Sequence, residues 1–321
     1  MQMTNVILKK NIEAASSIVL LGHVRPDGDC VGSVLALYRY IRNSAPDKAV
    51  AVYLERPAEK FSGLSGFTDI ITDPDTGKKA ELAVALDVSD HDRLGAFAPL
   101  FDHAQATLNI DHHVTNPGFA AETVCVPEAS STCEVLFELI GEEAVDREIA
   151  ACLYTGIITD TGVFKYAQTS ARTMQIAGIL MEKGIDFGEM IDSAYYRKTW
   201  TQNRILGKAL VKSVRALGGR LIYSIITLED KAEFGADSMD LDGIAEQLRL
   251  TEGAECAVLC GETEPGVFKL SLRSLEEVNV SEIALSYGGG GHIRAAGCTV
   301  PGRAEEIMEE ICKRVEAQCS C

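Results

Sequence analysis

The sequence lacks the features that mark three broad classes of protein. Its apolar runs fall well short of the ~18 residues needed to cross a bilayer, and the early run at 18–21 is too short for a signal-peptide core. No two of its ten cysteines form a CxxC pair, which disfavours a disulfide scaffold and a cysteine-built zinc site. No internal repeat is visible. We therefore expect a cytoplasmic globular protein with no membrane partner, whose cysteines are buried free thiols.

Positive charge is also scarce. The chain has 30 Lys and Arg against 47 Asp and Glu, a net charge of −17. Proteins that hold long nucleic acids neutralise many phosphates with Lys and Arg, and no basic stripe is visible here. The charge balance therefore argues against a long nucleic-acid partner. Small phosphorylated ligands stay compatible with it, because a few arginines in one pocket suffice, and metal cations are favoured.

The length of 321 residues exceeds what one hydrophobic core usually organises, so two domains are expected. The N-terminal half alternates short apolar runs with amphipathic stretches, which is typical of a parallel sheet with helices on both faces. Strands are predicted at 18–21, 49–54, 82–86 and 107–110, and helices at 31–42, 130–140, 147–158 and 171–182.

A second alternating pattern follows a polar, helix-prone segment over 186–212. Further strands are predicted at 221–227, 257–260 and 267–273, before a glycine run and a charged C-terminal helix. The sequence therefore predicts the α/β class. An N-terminal parallel-sheet domain would span 1–190, a linker helix 191–215 and a smaller α/β domain 216–321.

Acids and histidines follow several of the predicted strands at the points where they end. Ligands of an open α/β sheet bind beyond the carboxyl ends of its strands. Any one of these residues could be a helix cap or a turn residue, but their recurrence at several strand ends favours one polar site. A further aspartate follows an apolar helix and is bracketed by glycines. The residues are His23, Asp27, Asp29, Asp87, Asp111, His112, His113 and Asp160.

The side chains in this set indicate a metal centre. Histidine combined with several carboxylates suits Mn²⁺ better than structural zinc. Six candidate ligands are too many for one catalytic ion that must keep open positions. They fit two ions about 3.5–4 Å apart, the arrangement used for in-line attack on phosphorus.

The same residues carry a resemblance to a known family. The pattern His-x-x-Pro-Asp-x-Asp-x-x-Gly-Ser at 23–33, with Asp87, the run Asp-His-His at 111–113 and Asp160, resembles the ordered motifs of the DHH phosphoesterase superfamily. The run at 288–297, Gly-Gly-Gly-Gly-His-Ile-Arg-Ala-Ala-Gly, resembles the signature of the DHH-associated C-terminal domain. Size and motif order are most similar to the branch that cleaves short oligonucleotides and dephosphorylates adenosine 3′,5′-bisphosphate (pAp).

The resemblance implies how the metal ligands are shared between two manganese ions. Asp87 would bridge the ions and act in catalysis as well. One ion would also be held by His23 and Asp27. The further ligands of the other ion would be Asp29, His112 and Asp160.

The resemblance also implies the remaining catalytic and substrate-binding residues. His113 would contact the scissile phosphate, and Asp111 would orient the neighbouring histidines. The glycine run would let a phosphate approach the backbone at a helix start, although alone it could also be a flexible hinge. The implied substrate-binding residues are Arg273, Ser274, Gly289, Gly290, Gly291, His292 and Arg294.

The function expected from these features is hydrolysis of short oligonucleotides to nucleoside monophosphates, with dephosphorylation of pAp. Substrates of two to about five nucleotides are expected, because an acidic chain gains nothing from a longer backbone. Alternatives are a stand-alone phosphodiesterase for cyclic or linear dinucleotides, then a manganese pyrophosphatase or exopolyphosphatase. A processive single-strand exonuclease would need a basic channel, and a non-catalytic nucleotide sensor would have lost metal ligands. The sequence leaves a homodimer open.

Overall fold

The computed structural model describes residues 4–74 and 79–319, which form two compact units. The first unit ends at Arg197 and the second begins at Lys198. Each unit has its own six-stranded sheet with a hydrophobic core on either face. Within the described ranges, no helix is long and apolar enough to span a membrane.

The first unit is built on a sheet in which all neighbouring strands run parallel. Its strands are β1 (Ser17–Leu21), β2 (Ala49–Tyr53), β3 (Ile70–Ile71), β4 (Leu82–Leu86), β5 (Ala106–Asp111) and β6 (Glu122–Cys125). Its helices are α1 (Thr4–Ala14), α2 (Gly28–Ser44), α3 (Ala98–Asp102), α4 (Thr132–Ile140), α5 (Arg147–Asp160), α6 (Ala171–Glu182) and α7 (Phe187–Ile191). The predicted parallel α/β architecture is confirmed.

The strand order of this sheet is β3-β2-β1-β4-β5-β6. Because alternate residues of a strand point to opposite faces, Leu20 and Val84 lie in the core beneath α2, α4 and α5, whereas Leu21 and Ala85 pack on the other face with Phe101 of α3. The chain leaves β1 in one direction along the sheet and β4 in the other. The β1/β4 boundary is therefore a topological switch point, where open α/β sheets bind their ligands.

The helix predicted over 191–215 is not continuous. Helix α7 leads into a π-helical turn at Asp192–Tyr196, and a new helix, α8 (Trp200–Val211), begins after three intervening residues. Thr199 and Gln202 form a capping box there, which starts a helix rather than continuing one. The end of the predicted linker is a strand, β7 (Val214–Ala216).

The second unit is a mixed sheet of order β11-β12-β10-β9-β8-β7 in which only the β8–β9 pair is parallel. The strands after β7 are β8 (Leu221–Ile226), β9 (Cys256–Glu264), β10 (Val267–Ser274), β11 (Gly290–His292) and β12 (Ala295–Pro301). The helices after α8 are α9 (Leu228–Phe234), α10 (Ile244–Arg249), α11 (Val280–Leu285) and α12 (Ala304–Gln318). Helices α11 and α12 cover one face, and α8 and α10 pack against the other.

Candidate metal centre

The residues expected to bind metal meet at the carboxyl edge of the first sheet. His23 follows β1, Asp87 follows β4 and His112 follows β5, and these three strands are neighbours. Asp29 lies in the first turn of α2, and Asp160 is the last residue of α5, which packs against α2. Residues far apart in sequence are thus brought together at the β1/β4 switch point.

One group of candidate ligands surrounds the buried ring of His23. His23 Nε2 lies 3.6 Å from Asp27 Oδ1 and 3.5 Å from Asp87 Oδ2. The other ring nitrogen, Nδ1, lies 2.8 Å from the carbonyl oxygen of Val24 and donates to it, because a carbonyl oxygen only accepts. In the neutral ring, Nε2 therefore carries the lone pair and faces the carboxylates. This is the orientation that a metal-binding histidine requires.

A second group surrounds the ring of His112. Its Nε2 lies 3.3 Å from Asp160 Oδ2 and 4.0 Å from Asp29 Oδ2. Its Nδ1 lies 3.3 Å from the carbonyl oxygen of Ala129, so this ring also turns Nε2 toward the acids. One ligating atom from each of Asp29, His112 and Asp160 lies within 4.8 Å of the others. These three residues can hold one ion.

The N-terminus of α4 fixes the buried carboxylate of Asp29. Asp29 Oδ2 accepts the backbone N–H of Thr132 at 2.6 Å, and Oδ1 accepts that of Cys133 at 3.0 Å. Free N–H groups at a helix N-terminus favour a negative charge, so the helix holds the carboxylate in place. The sequence predicts a helix over 130–140, but its contact with Asp29 arises from tertiary packing.

Asp87 lies between the two groups. Its Oδ2 faces His23, whereas its Oδ1 lies 3.8 Å from His112 Nε2 and accepts a hydrogen bond from Thr132 Oγ1 at 3.0 Å. The residue is 2% exposed and has φ +59°, a left-handed conformation that side chains other than glycine rarely adopt. The two oxygens of one carboxylate thus point to two different histidines.

His113 belongs to a chain of hydrogen bonds behind the two groups. Its Nδ1 donates to the buried Asp111 Oδ1 at 2.8 Å, and Asn116 Nδ2 donates to Asp111 Oδ2 at 2.6 Å. The hydrogen bond to Asp111 and the charge of Asp87 raise the pKa of His113. Because Nδ1–H is donated to Asp111, Nε2 carries a proton only in the charged imidazolium form. The raised pKa favours that form, in which Nε2–H can donate to an anion.

The electrostatics of the site favour a bound cation. Burial, with the charges of Asp87 and Asp160, holds the pKa of Asp29 well above its usual range, and burial raises the pKa of Asp160 to about 6. Burial alone would lower the pKa of His23, but its contacts with Asp27 and Asp87 raise it. The carboxylates are therefore crowded without enough positive charge. A divalent cation supplies that charge, so the residues fit a metal centre.

Three further residues near the site are not predicted as site residues from the sequence. Thr132 and Asn116 support Asp87 and Asp111 through the hydrogen bonds above, and Thr132 lies 45 positions from its partner. Cys30 lies with His23 and Asp87 in a group whose ligating atoms are within 4.8 Å of one another. Cys30 lies within the first motif of the sequence, but a single cysteine at that position is typical of a small core residue.

The second unit presents some of the expected substrate residues on one surface. Arg273 of β10 pairs with Ala295 of β12, which pairs in turn with His292 of β11. Directly paired residues share a face, so Arg273 and His292 lie about 10 Å apart across the same row. Ser274 is buried and points to the other face. Arg294 is exposed, and its guanidinium donates to the carbonyl oxygen of Val278 at 3.0 Å.

The expectation that the glycine run begins a helix is wrong. Gly290 to His292 form β11, paired with β12, because the run follows α11 and turns back along the sheet. A Cβ at Gly289 or Gly291 would overlap the backbone of β12, and Gly291 has φ +141°. These two glycines allow close strand pairing. Gly290 has no atom within 4 Å of a Cβ position, so it faces open space.

Family models match both units. The model of the DHH family N-terminal domain matches residues 17–157, and that of the DHHA1 domain matches residues 218–320. The bifunctional oligoribonuclease and PAP phosphatase NrnA of Thermus thermophilus is 33% identical over 289 residues, covering 89% of this chain and 84% of that one. The protein of the same name from Bacillus subtilis is 25% identical and covers 96% and 99%.

Solved structures share the fold. An exopolyphosphatase-related protein from Bacteroides fragilis superposes with a TM-score of 0.88 at 27% identity, covering 99% of this chain and 96% of that chain. The exonuclease RecJ bound to manganese superposes with a TM-score of 0.54 at 14% identity, covering 98% and 93%.

Proposed function

The chain belongs to the DHH family of metal-dependent phosphoesterases with a C-terminal DHHA1 domain, and we propose that it hydrolyses short oligonucleotides to nucleoside monophosphates and dephosphorylates pAp. The observation that carries the proposal is the placement of Asp87, whose two carboxylate oxygens face two separate groups of candidate ligands. Similarity over most of the chain to the NrnA proteins supports this choice of substrates.

We further propose that the centre holds two Mn²⁺ ions. His23, Asp27 and Asp87 would hold one. The other would share Asp87, and its further ligands would be Asp29, His112 and Asp160. Carboxylate oxygens with imidazole nitrogens suit Mn²⁺, and bound divalent ions lower the pKa of water and stabilise charge on a phosphoryl group.

The chain's own residues contribute orientation and charge. His113, held by Asp111, would donate a hydrogen bond to a phosphate oxygen as negative charge grows in the transition state. In the second unit, Arg273 and His292 would bind a phosphate group, because they share a face and carry donors suited to anions. A substrate with only one or two phosphates within reach does not need an extended basic surface.

A phosphoanhydride hydrolase is the second candidate, favoured by the likeness to the exopolyphosphatase-related protein of B. fragilis. It would use the same metal centre, but its substrate would not need to contain a nucleoside. Arg273 and His292 could serve either activity, because both substrates carry phosphate groups.

A substrate panel tests the proposal. The purified protein with Mn²⁺ is assayed on pAp, linear dinucleotides, a cyclic dinucleotide, a long single strand, pyrophosphate and polyphosphate, with Asp87→Asn as the control for contaminating nucleases. We expect the highest kcat/KM on linear dinucleotides and pAp. A preference for pyrophosphate or polyphosphate would replace this function with the second candidate, and a preference for the cyclic dinucleotide would replace it with a cyclic-dinucleotide phosphodiesterase.

A further inference from the structure

We propose that Cys30 is an additional metal ligand and that its sulfur makes the His23 half of the centre accept Zn²⁺ or another thiophilic ion in preference to Mn²⁺. The proposal rests on the metal centre of the proposed function and adds a chemical difference between its two halves. The ligand class is a borderline-to-soft divalent cation.

The thiol of Cys30 lies beside two other candidate ligands. One ligating atom from each of His23, Cys30 and Asp87 lies within 4.8 Å of the others, and all three side chains are buried. His23 and Asp87 are the same residues that face each other at 3.5 Å on this side of the centre. An ion held by them therefore has a sulfur atom within reach.

The local fold holds the thiol in this position. Cys30 is in the first turn of α2, where its backbone N–H donates to the capping Asp27 Oδ1 at 3.1 Å. Its Sγ lies against Gly22, the residue between β1 and His23, and a Cβ at Gly22 would overlap the sulfur. The close approach of β1 to α2 thus places the thiol beside the histidine ring. Asp27, the N-cap of the same helix, is the other candidate ligand of that ion.

The two halves of the centre then differ in ligand chemistry. Thiolate with imidazole is a donor set that favours Zn²⁺ and Co²⁺, whereas carboxylates and water suit Mn²⁺. The group of Asp29, His112 and Asp160 offers only oxygen and nitrogen. When an ion binds beside Cys30, the thiol proton passes to solvent as the metal–sulfur bond forms. When both metals are supplied, the centre would hold Zn²⁺ beside Cys30 and Mn²⁺ in the other half.

A purely structural role for Cys30 predicts a different outcome. The side chain also belongs to the core cluster beneath α2, and a small buried thiol packs well in such a core. In that case the sulfur would contact no ion, and replacing it by the smaller Ser oxygen would alter stability without altering which metals bind.

Cobalt binding distinguishes the two roles. Metal-free protein is titrated with Co²⁺ in the absence of substrate, and thiolate-to-cobalt charge-transfer absorption is recorded for wild type, Cys30→Ser and Cys125→Ser. Cys125 is the matched control, because its Sγ donates to the His113 carbonyl oxygen beside the site but belongs to no candidate ligand group formed by the described residues. We expect the band in wild type and Cys125→Ser and its loss in Cys30→Ser. No band in wild type, or a band that survives in Cys30→Ser, overturns the proposal.

Metal competition gives a second readout. Wild type and Cys30→Ser are dialysed against equal Zn²⁺ and Mn²⁺, and bound metals are counted by mass spectrometry. We expect Cys30→Ser to lower the zinc-to-manganese ratio at least about tenfold, the smaller end of what a perturbed metal site loses. An unchanged ratio contradicts the assignment. Should Cys30→Ser fail to fold, the ¹¹³Cd NMR shift of wild type reports sulfur ligation directly. Hydrolysis of pAp by manganese-loaded wild type is measured separately, so failure of the proposed function is recognised on its own.

Discussion

At the level of single residues, hydrogen-bond donors orient the carboxylates of the candidate metal ligands. Thr132 contributes twice, with its hydroxyl to Asp87 Oδ1 and its backbone N–H to Asp29 Oδ2. Asp87 Oδ2 is left facing His23. Groups that orient a metal ligand in this way are often nearly as important as the ligand itself.

Replacing Thr132 by Val tests this role, because Val keeps the shape and removes the hydroxyl. We expect Thr132→Val to weaken Mn²⁺ affinity by about 10–100-fold, whereas Thr132→Ser keeps the donor and stays near wild type. Calorimetric titration of metal-free protein measures both. Equal affinities for the Val and Ser variants would show that the hydroxyl does not orient Asp87.

The sequence allowed prediction of the acids and histidines but not of their supporting residues. Asp87 follows the apolar run at 82–86, and His112 follows the strand predicted at 107–110, so both positions at strand ends are visible in the sequence. Thr132 looks like an ordinary helix-capping residue, since its partner Asp87 is 45 positions away. Cys30 looks like a core residue, because its contact with His23 depends on how β1 approaches α2. Such contacts arise from tertiary packing.

Among the elements, the close packing of α2, α4 and α5 fixes the second ligand group. Gly156 of α5 lies against Asp29 and Cys133, and a Cβ there would come within 2.5 Å of Asp29 Oδ1. Gly178 of α6 has nothing within 4 Å of its Cβ position and is exposed. The two helical glycines thus differ in whether a methyl group has room.

Alanine at these two positions should act in opposite directions. We expect Gly156→Ala to destabilise the fold by about 1–3 kcal/mol through overpacking and to weaken metal binding by displacing Asp29. Gly178→Ala should stabilise the fold by about 0.5–1 kcal/mol, as expected for a helix interior, and leave metal binding unchanged. Urea unfolding and metal titration measure both effects. Wild-type metal affinity in Gly156→Ala would refute the link between helix packing and the site.

The strand β11 gives a second comparison at this level. The sequence predicts a helix start at the glycine run. A run of glycines has no hydrophobic periodicity, so it cannot distinguish a turn before a helix from a turn between strands. The run forms a strand because pairing with β12 satisfies its backbone hydrogen-bonding groups.

Gly290 and Gly291 should therefore respond differently to alanine. Gly290→Ala has open space for the methyl group, so the melting temperature of this variant should match that of wild type. Its KM for pAp should rise by up to about tenfold, which corresponds to about 1.4 kcal/mol. Gly291→Ala would overlap Ala295 and should lower the melting temperature. An unchanged KM for Gly290→Ala would remove Gly290 from the substrate surface.

For the whole molecule, the net charge of −17 sets the expected range of substrates. Binding that neutralises Z phosphates of a single strand has a logarithmic salt slope of roughly −0.7Z. Phosphates beyond the reach of residues such as Arg273 and His292 meet a largely acidic protein. Extra length should therefore add little attraction.

We expect kcat/KM to be highest for substrates of two to about five nucleotides, with a salt slope that stops growing with length. The measurement is kcat/KM for a length series at two salt concentrations with Mn²⁺ fixed. Activity that climbs steadily to about twenty nucleotides with a steepening slope would indicate a basic track and a processive nuclease instead.

The central claim is a pair of ions bridged by Asp87, and electron paramagnetic resonance of protein loaded with excess Mn²⁺ tests it most directly. We predict two Mn²⁺ ions per chain with the exchange-coupled spectrum of ions about 3.5–4 Å apart. In Asp87→Asn the coupling should vanish, and kcat/KM should fall by more than the roughly 100-fold typical of losing a supporting hydrogen bond. One ion per chain in wild type, or an Asp87→Asn variant with two coupled ions and a near-normal rate, would contradict the account.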